Sequence, residues 1–273
     1  MYKSAQFETK CSIGTHLEPV PTQSKPLKLV FLRFIKMSRQ SIFLLSLIAL
    51  CGLLLKATAL TPPWDASKFR PILRKCRLQS PTASPTAIKK GDFPGKALNS
   101  FYLSREKYMT FEMSGDSRRS ELRVEDEFST RTSSKESITG SVKLLNPSGR
   151  NMEQFTFMQI LGYGRVDGKS FSKPLLRLTW LKERRGTKNH LWAIIRTSLE
   201  PKTQYIKLIK RPSGFLKAKI EVQNSRVRVF INGSRKVNKN VSYWNRLSSY
   251  FKAGVYLQDP GTAKTQFRTL TLG

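Results

Sequence analysis

From about residue 101 to the C-terminus the chain is written in short runs of alternating apolar and polar residues, separated by turn residues. The runs begin with Met109–Met113, Ser120–Phe128, Ile138–Leu145, Phe155–Leu161, Pro174–Leu181 and His190–Thr197. They continue with Gln204–Lys210, Leu216–Val222, Arg226–Ile231, Lys252–Gln258 and Gln266–Leu272. Period-two alternation is plainest in Lys217-Ala-Lys-Ile-Glu-Val222 and in Arg226-Val-Arg-Val229, which leads to the hairpin signal Asn232-Gly233. That period puts one side chain in two on each face of a strand, whereas on a helix it would scatter apolar groups around the cylinder. No long amphipathic helix and no internal repeat interrupts the pattern. The expectation over residues 101–273 is one all-β domain: two antiparallel sheets packed as a jelly-roll sandwich.

The first hundred residues read differently. Residues 42–55 are an apolar run of 14, preceded by Met37-Ser38-Arg39-Gln40 and followed by Lys56-Ala57-Thr58-Ala59. A positive start, a short apolar middle and an Ala-x-Ala ending describe a secretory signal peptide over 37–59. The run is shorter than the ~20 residues that span a bilayer, so no stable membrane insertion is expected after cleavage. Residues 1–36 form an extension of uncertain status, and either Met1 or Met37 is the start. Residues 60–100, with TPPWDASKF and SPTASPT, read as a Pro/Ser/Lys-rich lead-in arm with little regular structure. Cleavage after Ala59 removes Cys11 and Cys51, leaving Cys76 with no partner for an internal disulfide. The implied location is outside the cell, in free or wall- or matrix-associated form.

Charge narrows the partner. The chain carries 49 Lys+Arg against 18 Asp+Glu, a formal net charge of +31, and residues 60–273 keep 41 against 16. Such an excess selects polyanions: nucleic acid, an acidic membrane surface or an acidic polysaccharide. Nucleic acid is the weakest of these, because no basic helix or nucleic-acid motif is present. With only His16 and His190, a zinc site of the His/Cys type is nearly excluded, and a Ser/His triad is improbable.

Alternation also assigns faces. Arg119, Glu121 and Arg123 share one face of their run, with Ser120 and Leu122 opposite. Gln159 and Leu161 share a face, with Ile160 opposite. Lys252, Tyr256 and Gln258 share a face with Gly254, while Ala253, Val255 and Leu257 point into the core. Three runs thus offer polar faces with few carboxylates, a pattern that by itself also fits an ordinary wet sheet face.

RSELR (119–123), Gln159-Ile160-Leu161 and YFKAGVYLQ (250–258) resemble, in order, the three hallmark blocks of polysaccharide lyase family 7, the alginate lyases. Those blocks are R-[ST]-E-[LV]-R, Q-[IV]-H and Y-F-K-A-G-x-Y-x-Q. The first and third match fully and the second at two positions of three. The resemblance implies a jelly roll with a concave cleft for an acidic polysaccharide, alginate or a related polyuronate, cleaved by β-elimination without metal or organic cofactor; a monomer acting endolytically is the accompanying expectation. It implies that Arg119 and Gln159 neutralise the uronate carboxylate while the C5 proton leaves, and that Tyr256 transfers protons. A phenol with a pKa of about 10 needs cationic neighbours to serve as a base, and Lys252 and Arg119 are the candidates. Glu121, Arg123, Lys252 and Gln258 are implied to line the cleft.

Leu161 stands where the family has histidine. Leucine neither accepts nor donates a proton. In the family that histidine is associated with proton abstraction from the face opposite the leaving group, the anti geometry that guluronate requires. Mannuronate needs syn elimination, for which one tyrosine suffices. Two expectations follow: a lyase restricted to mannuronate-type (or glucuronate-type) linkages, or an inactive polysaccharide-binding jelly roll. His190, on an apolar run, reads as a packing residue rather than a relocated base.

Overall fold

The computed structural model describes residues 59–273; the 1–36 extension and nearly all of the 37–59 segment lie outside the described residues. Sixteen strands run through them. The earlier ones are β1 (Cys76–Gln79), β2 (Thr86–Ile88), β3 (Phe101–Ser104), β4 (Tyr108–Gly115), β5 (Arg119–Val124), β6 (Phe128–Ser129), β7 (Glu136–Leu144) and β8 (Gln154–Val166). The later ones are β9 (Lys169–Arg184), β10 (Thr187–Arg196), β11 (Thr203–Lys210), β12 (Leu216–Gln223), β13 (Arg226–Ile231), β14 (Ser234–Asn240), β15 (Ser248–Leu257) and β16 (Gly261–Leu272). Each alternating run read from the sequence lies essentially on one strand, except Ser120–Phe128, which residues 125–127 divide between β5 and β6.

The strands form two antiparallel sheets. One has nine strands in the order β11-β10-β9-β8-β15-β5-β1-β2, with β6 paired to β15. The other has seven, in the order β14-β13-β12-β7-β16-β4-β3. Apolar side chains of both sheets meet between them: Ile160, Leu178, Ala253, Val255 and Leu122 from one, Ile220, Val229, Val142, Phe267 and Phe111 from the other. All are buried, and each large aliphatic or aromatic side chain among them contributes about 1.5–3 kcal/mol. This is the jelly-roll sandwich the alternation predicts. Asn232-Gly233 joins β13 to β14 as expected, with φ of 51° and 83°, the paired positive values of a two-residue hairpin turn.

Residues 60–100 differ from the lead-in arm of the sequence reading. They supply β1 and β2, and β1 pairs with β5 through Leu78 opposite Leu122. Phe69, Ile72, Leu73, Leu78, Ile88 and Phe93 from this segment are all buried in the core. The Pro/Ser/Thr residues gather in the turn before Phe69, around Pro62–Pro63, and in the link between the two strands, around Pro81–Pro85, and they masked the apolar residues set among them.

Candidate active site

The outer face of the nine-stranded sheet carries the polar residues. One row of paired positions crosses it as Arg177 on β9, Gln159 on β8, Lys252 on β15 and Arg123 on β5. The neighbouring row is Thr179, Thr156, Tyr256 and Arg119. Glu121 lies between the rows on β5, opposite Gly254. A flat outer face would leave such residues wet, yet Glu121, Gln159 and Lys252 are 0–1% exposed. The face is therefore recessed at its centre.

Gly254 sets the spacing. Its φ is +147°, and a Cβ there would stand 2.2 Å from the Ser120 carbonyl oxygen. Only glycine lets β15 approach β5 this closely. A bulge between Ala253 and Tyr256 then shifts the register with β8, so that Lys252 faces Gln159 while Tyr256 faces Thr156.

Glu121 ties the centre together. Its Oε1 accepts from Gln159 Nε2 at 2.6 Å. Its Oε2 accepts from Lys252 Nζ and, at 3.4 Å, from an Arg119 guanidinium nitrogen. Arg119 also lies over the Tyr256 ring, 4.2 Å from its centroid, and its Nε is buried without a partner. Two cations, Arg119 and Lys252, thus hold one carboxylate beside the half-buried Tyr256, and Arg177, on β9, is close enough to act electrostatically on the same tyrosine. That surplus of positive charge around a phenol suits a substrate that is itself a carboxylate and must shed a proton.

Residues 73–273 match the family model described as alginate lyase. The chain belongs to the alginate lyases of polysaccharide lyase family 7. It is 30% identical over 248 residues to an alginate lyase of Photobacterium sp. (strain ATCC 43367), a match covering 76% of this chain and 86% of that one. Among solved structures, alginate lyase AlyC3 superposes with a TM-score of 0.72 at 24% identity, over 80% of this chain and 97% of its own. Alginate lyase PA1167 from Pseudomonas aeruginosa gives 0.62 at 20% identity, over 74% and 98%. This alginate lyase is accordingly a polysaccharide lyase with the family's jelly roll.

Other residues singled out from the sequence take different places. Arg123 is nearly buried: it lies 3.9 Å from the Tyr250 ring centroid and pairs with Glu125 at 3.1 Å and with Glu127. Its charge is spent within the protein, although it shares the row of Lys252. Gln258 extends the second row, donating from Nε2 to Thr156 Oγ1 at 2.9 Å, and Thr156 bonds Thr179 at 3.0 Å. Leu161 is half-buried, opposite Tyr250 on β15 and Pro174 on β9. His190 is on β10, three strands from β15, with its Nδ1 2.6 Å from the Lys188 carbonyl oxygen. At about 4.8 Å per strand it is far outside hydrogen-bond reach of Tyr256. Cys76 is buried, and desolvation raises its thiol pKa.

The sequence reading missed Arg177. It pairs across strands with Gln159, and burial lowers its pKa, the Tyr205 and Tyr256 side chains opposing that shift. The available signal was a lone cation between the core residues Leu176 and Leu178. The reading also left unassigned an apolar group on the same outer face: Leu181, Trp192 and Ile194, with Tyr205 against them.

Burial lowers the Lys252 pKa from 10.5 to about 8, outweighing the Glu121 carboxylate that raises it. The folded protein thus releases this proton before the unfolded chain does. Stability from this group is therefore lowest below pH 8 and rises as the pH climbs from about 8 toward 10.5. Urea titrations at pH 7 and pH 10 should show wild type gaining on the order of 2 kcal/mol relative to Lys252→Met over that interval. Parallel profiles for the two proteins would overturn the depressed pKa.

Proposed function

We propose that this alginate lyase cleaves mannuronate-type linkages by syn β-elimination, with Tyr256 as both base and acid. The observation that carries the proposal is Leu161: Tyr256 lies against Arg119, with Gln159 in the neighbouring row, no histidine stands beside it among the described residues, and His190 is three strands from β15. In the reaction Tyr256 takes the C5 proton, the C4–O bond breaks as the C4–C5 double bond forms, and the proton passes to the departing 4-oxygen. Both proton transfers and the departing oxygen lie on one face of the sugar, as β-D-mannuronate presents them. Arg119 and Gln159, held by Glu121, stabilise the charge that builds on the uronate carboxylate. The same fold accommodates such a ligand in AlyC3, which has been solved with dimannuronate. The signal-peptide reading of residues 37–59 supports action outside the cell, where the polymer is met.

Purified enzyme supplied separately with polymannuronate and polyguluronate, followed by ultraviolet absorbance of the unsaturated product, tests the proposal. Polymannuronate should be cleaved and polyguluronate should remain intact. Cleavage of polyguluronate would sink the argument from Leu161. Binding of both polymers with cleavage of neither would convert the reading to a non-catalytic polysaccharide-binding jelly roll.

A further inference from the structure

The recessed site uses a small part of the protein's positive charge. Residues 216–240 hold seven Lys or Arg and one acid, Glu221. They form β12, β13 and β14, three adjacent strands at one edge of the seven-stranded sheet. Ile220, Val227 and Val229 from these strands are fully buried in the core. By alternation the charged residues of β12 and β13 stand on the opposite, outer face, with the whole sandwich between them and Tyr256. Lys219, Phe230 and Arg235 form one cross-strand row there, and Glu221, Arg228 and Asn238 the next.

Glu221 is already committed. Its Oε2 accepts from Lys219 at 2.8 Å and its Oε1 from Arg228 at 3.2 Å. Lys217, Arg226 and Arg235 face no carboxylate among the described residues. Arg226 Nε donates to Asn238 Oδ1 at 2.9 Å, which orients the guanidinium without neutralising it. Phe230 stands half-buried within this group, with Lys219 Nζ 5.7 Å from its ring centroid. Lys217, Lys219, Phe230 and Gly233 line a shallow depression of about 150 Å³.

We propose that the outer face of β12–β14 is a second, non-catalytic binding surface for the carboxylates of a polyuronate chain. The proposal rests on the alginate reading of the active site, but not on the linkage that is cut. A polyuronate carries one carboxylate per sugar and apolar C–H faces between them. Unpaired cations on strands about 4.8 Å apart, interrupted by one phenyl ring, offer matching groups. A polymer held in the active site would meet this surface at a high effective concentration, so the two sites act together on long chains and not on short ones. The lone aromatic, with no platform of several rings, favours a sugar polymer over a stacked nucleic acid.

The test removes three unpaired charges in the variant Lys217→Gln/Arg226→Gln/Arg235→Gln, with the exposed single change Arg235→Glu as a second variant if the triple one unfolds. Binding of long polymannuronate is measured in a Tyr256→Phe background, where no cleavage intervenes. It should weaken roughly tenfold and lose part of its salt dependence. With Tyr256 present, turnover of a mannuronate tetrasaccharide should stay unchanged. Unaltered polymer binding, or an equal loss for the tetrasaccharide, would overturn the second site. Equal competition by DNA of matched charge would overturn its assignment to polyuronate. Failure of the linkage proposal leaves the polymer-binding result untouched, because it requires no cleavage, and binding of the tetrasaccharide to the Tyr256→Phe protein then replaces its turnover as the control.

Discussion

Replacing Tyr256 with phenylalanine should reduce turnover of polymannuronate by about 10³- to 10⁴-fold while leaving polymer binding within a few-fold of wild type. The size follows from the two jobs assigned to one hydroxyl. Its loss removes the group that takes the C5 proton and the group that protonates the leaving oxygen. Retention of binding follows from the ring, which keeps its place beneath the Arg119 guanidinium, 4.2 Å from the centroid. Because Tyr256 is half-buried and its ring is unchanged, thermal stability should move little. Steady-state rates from ultraviolet absorbance, set beside calorimetric binding of the same polymer, separate the two effects. A residual rate within tenfold of wild type would show that another group carries the proton, and Tyr256 would lose its role.

Much of this site is legible from the alternation of side chains. Arg119 and Glu121 on one face of RSELR, with Ser120 and Leu122 turned inward, follow from period two alone, and Glu121 and Leu122 are both buried on their respective sides. Three features are not legible, each for a physical reason. Arg123 shares the face of Glu121, yet Glu125 and Glu127 from the following loop capture it, and a loop's return path has no periodicity to read. The bulge at Gly254 changes which residue of β8 meets Lys252 and which meets Tyr256, a register that sequence spacing does not encode. Arg177 comes to the site through pairing of β9 with β8, a strand whose chemistry is invisible until its neighbour is known. The segment before residue 101 adds a fourth case, since its apolar residues are too few to show a period yet fill the core beside β5.

Glu121→Gln should cost more than its nearly unchanged shape suggests. The wild-type carboxylate is fully buried and serves three donors: Gln159 Nε2, Lys252 Nζ and Arg119. An amide keeps one acceptor and offers an N–H where an oxygen accepted, so at least one donor is left facing another. Lys252, 1% exposed, loses its counter-ion. Stability should fall by about 3 kcal/mol, the range for breaking one side of a buried pair. Turnover should fall about 10²-fold with a smaller change in KM, because Arg119 and Gln159 lose the group that aims them at the developing charge. The double variant Glu121→Gln/Lys252→Met distinguishes the two consequences. Removing the stranded ammonium should restore most of the stability, as apolar replacement of buried pairs commonly does, but none of the rate. If the double variant recovers both, the pair only holds the fold and Glu121 does not position the site. If it recovers neither, the loss arises from the strand pairing around Gly254 and not from charge. Recovery of stability alone assigns Glu121 to positioning, with Lys252 as the cation that makes its burial tolerable.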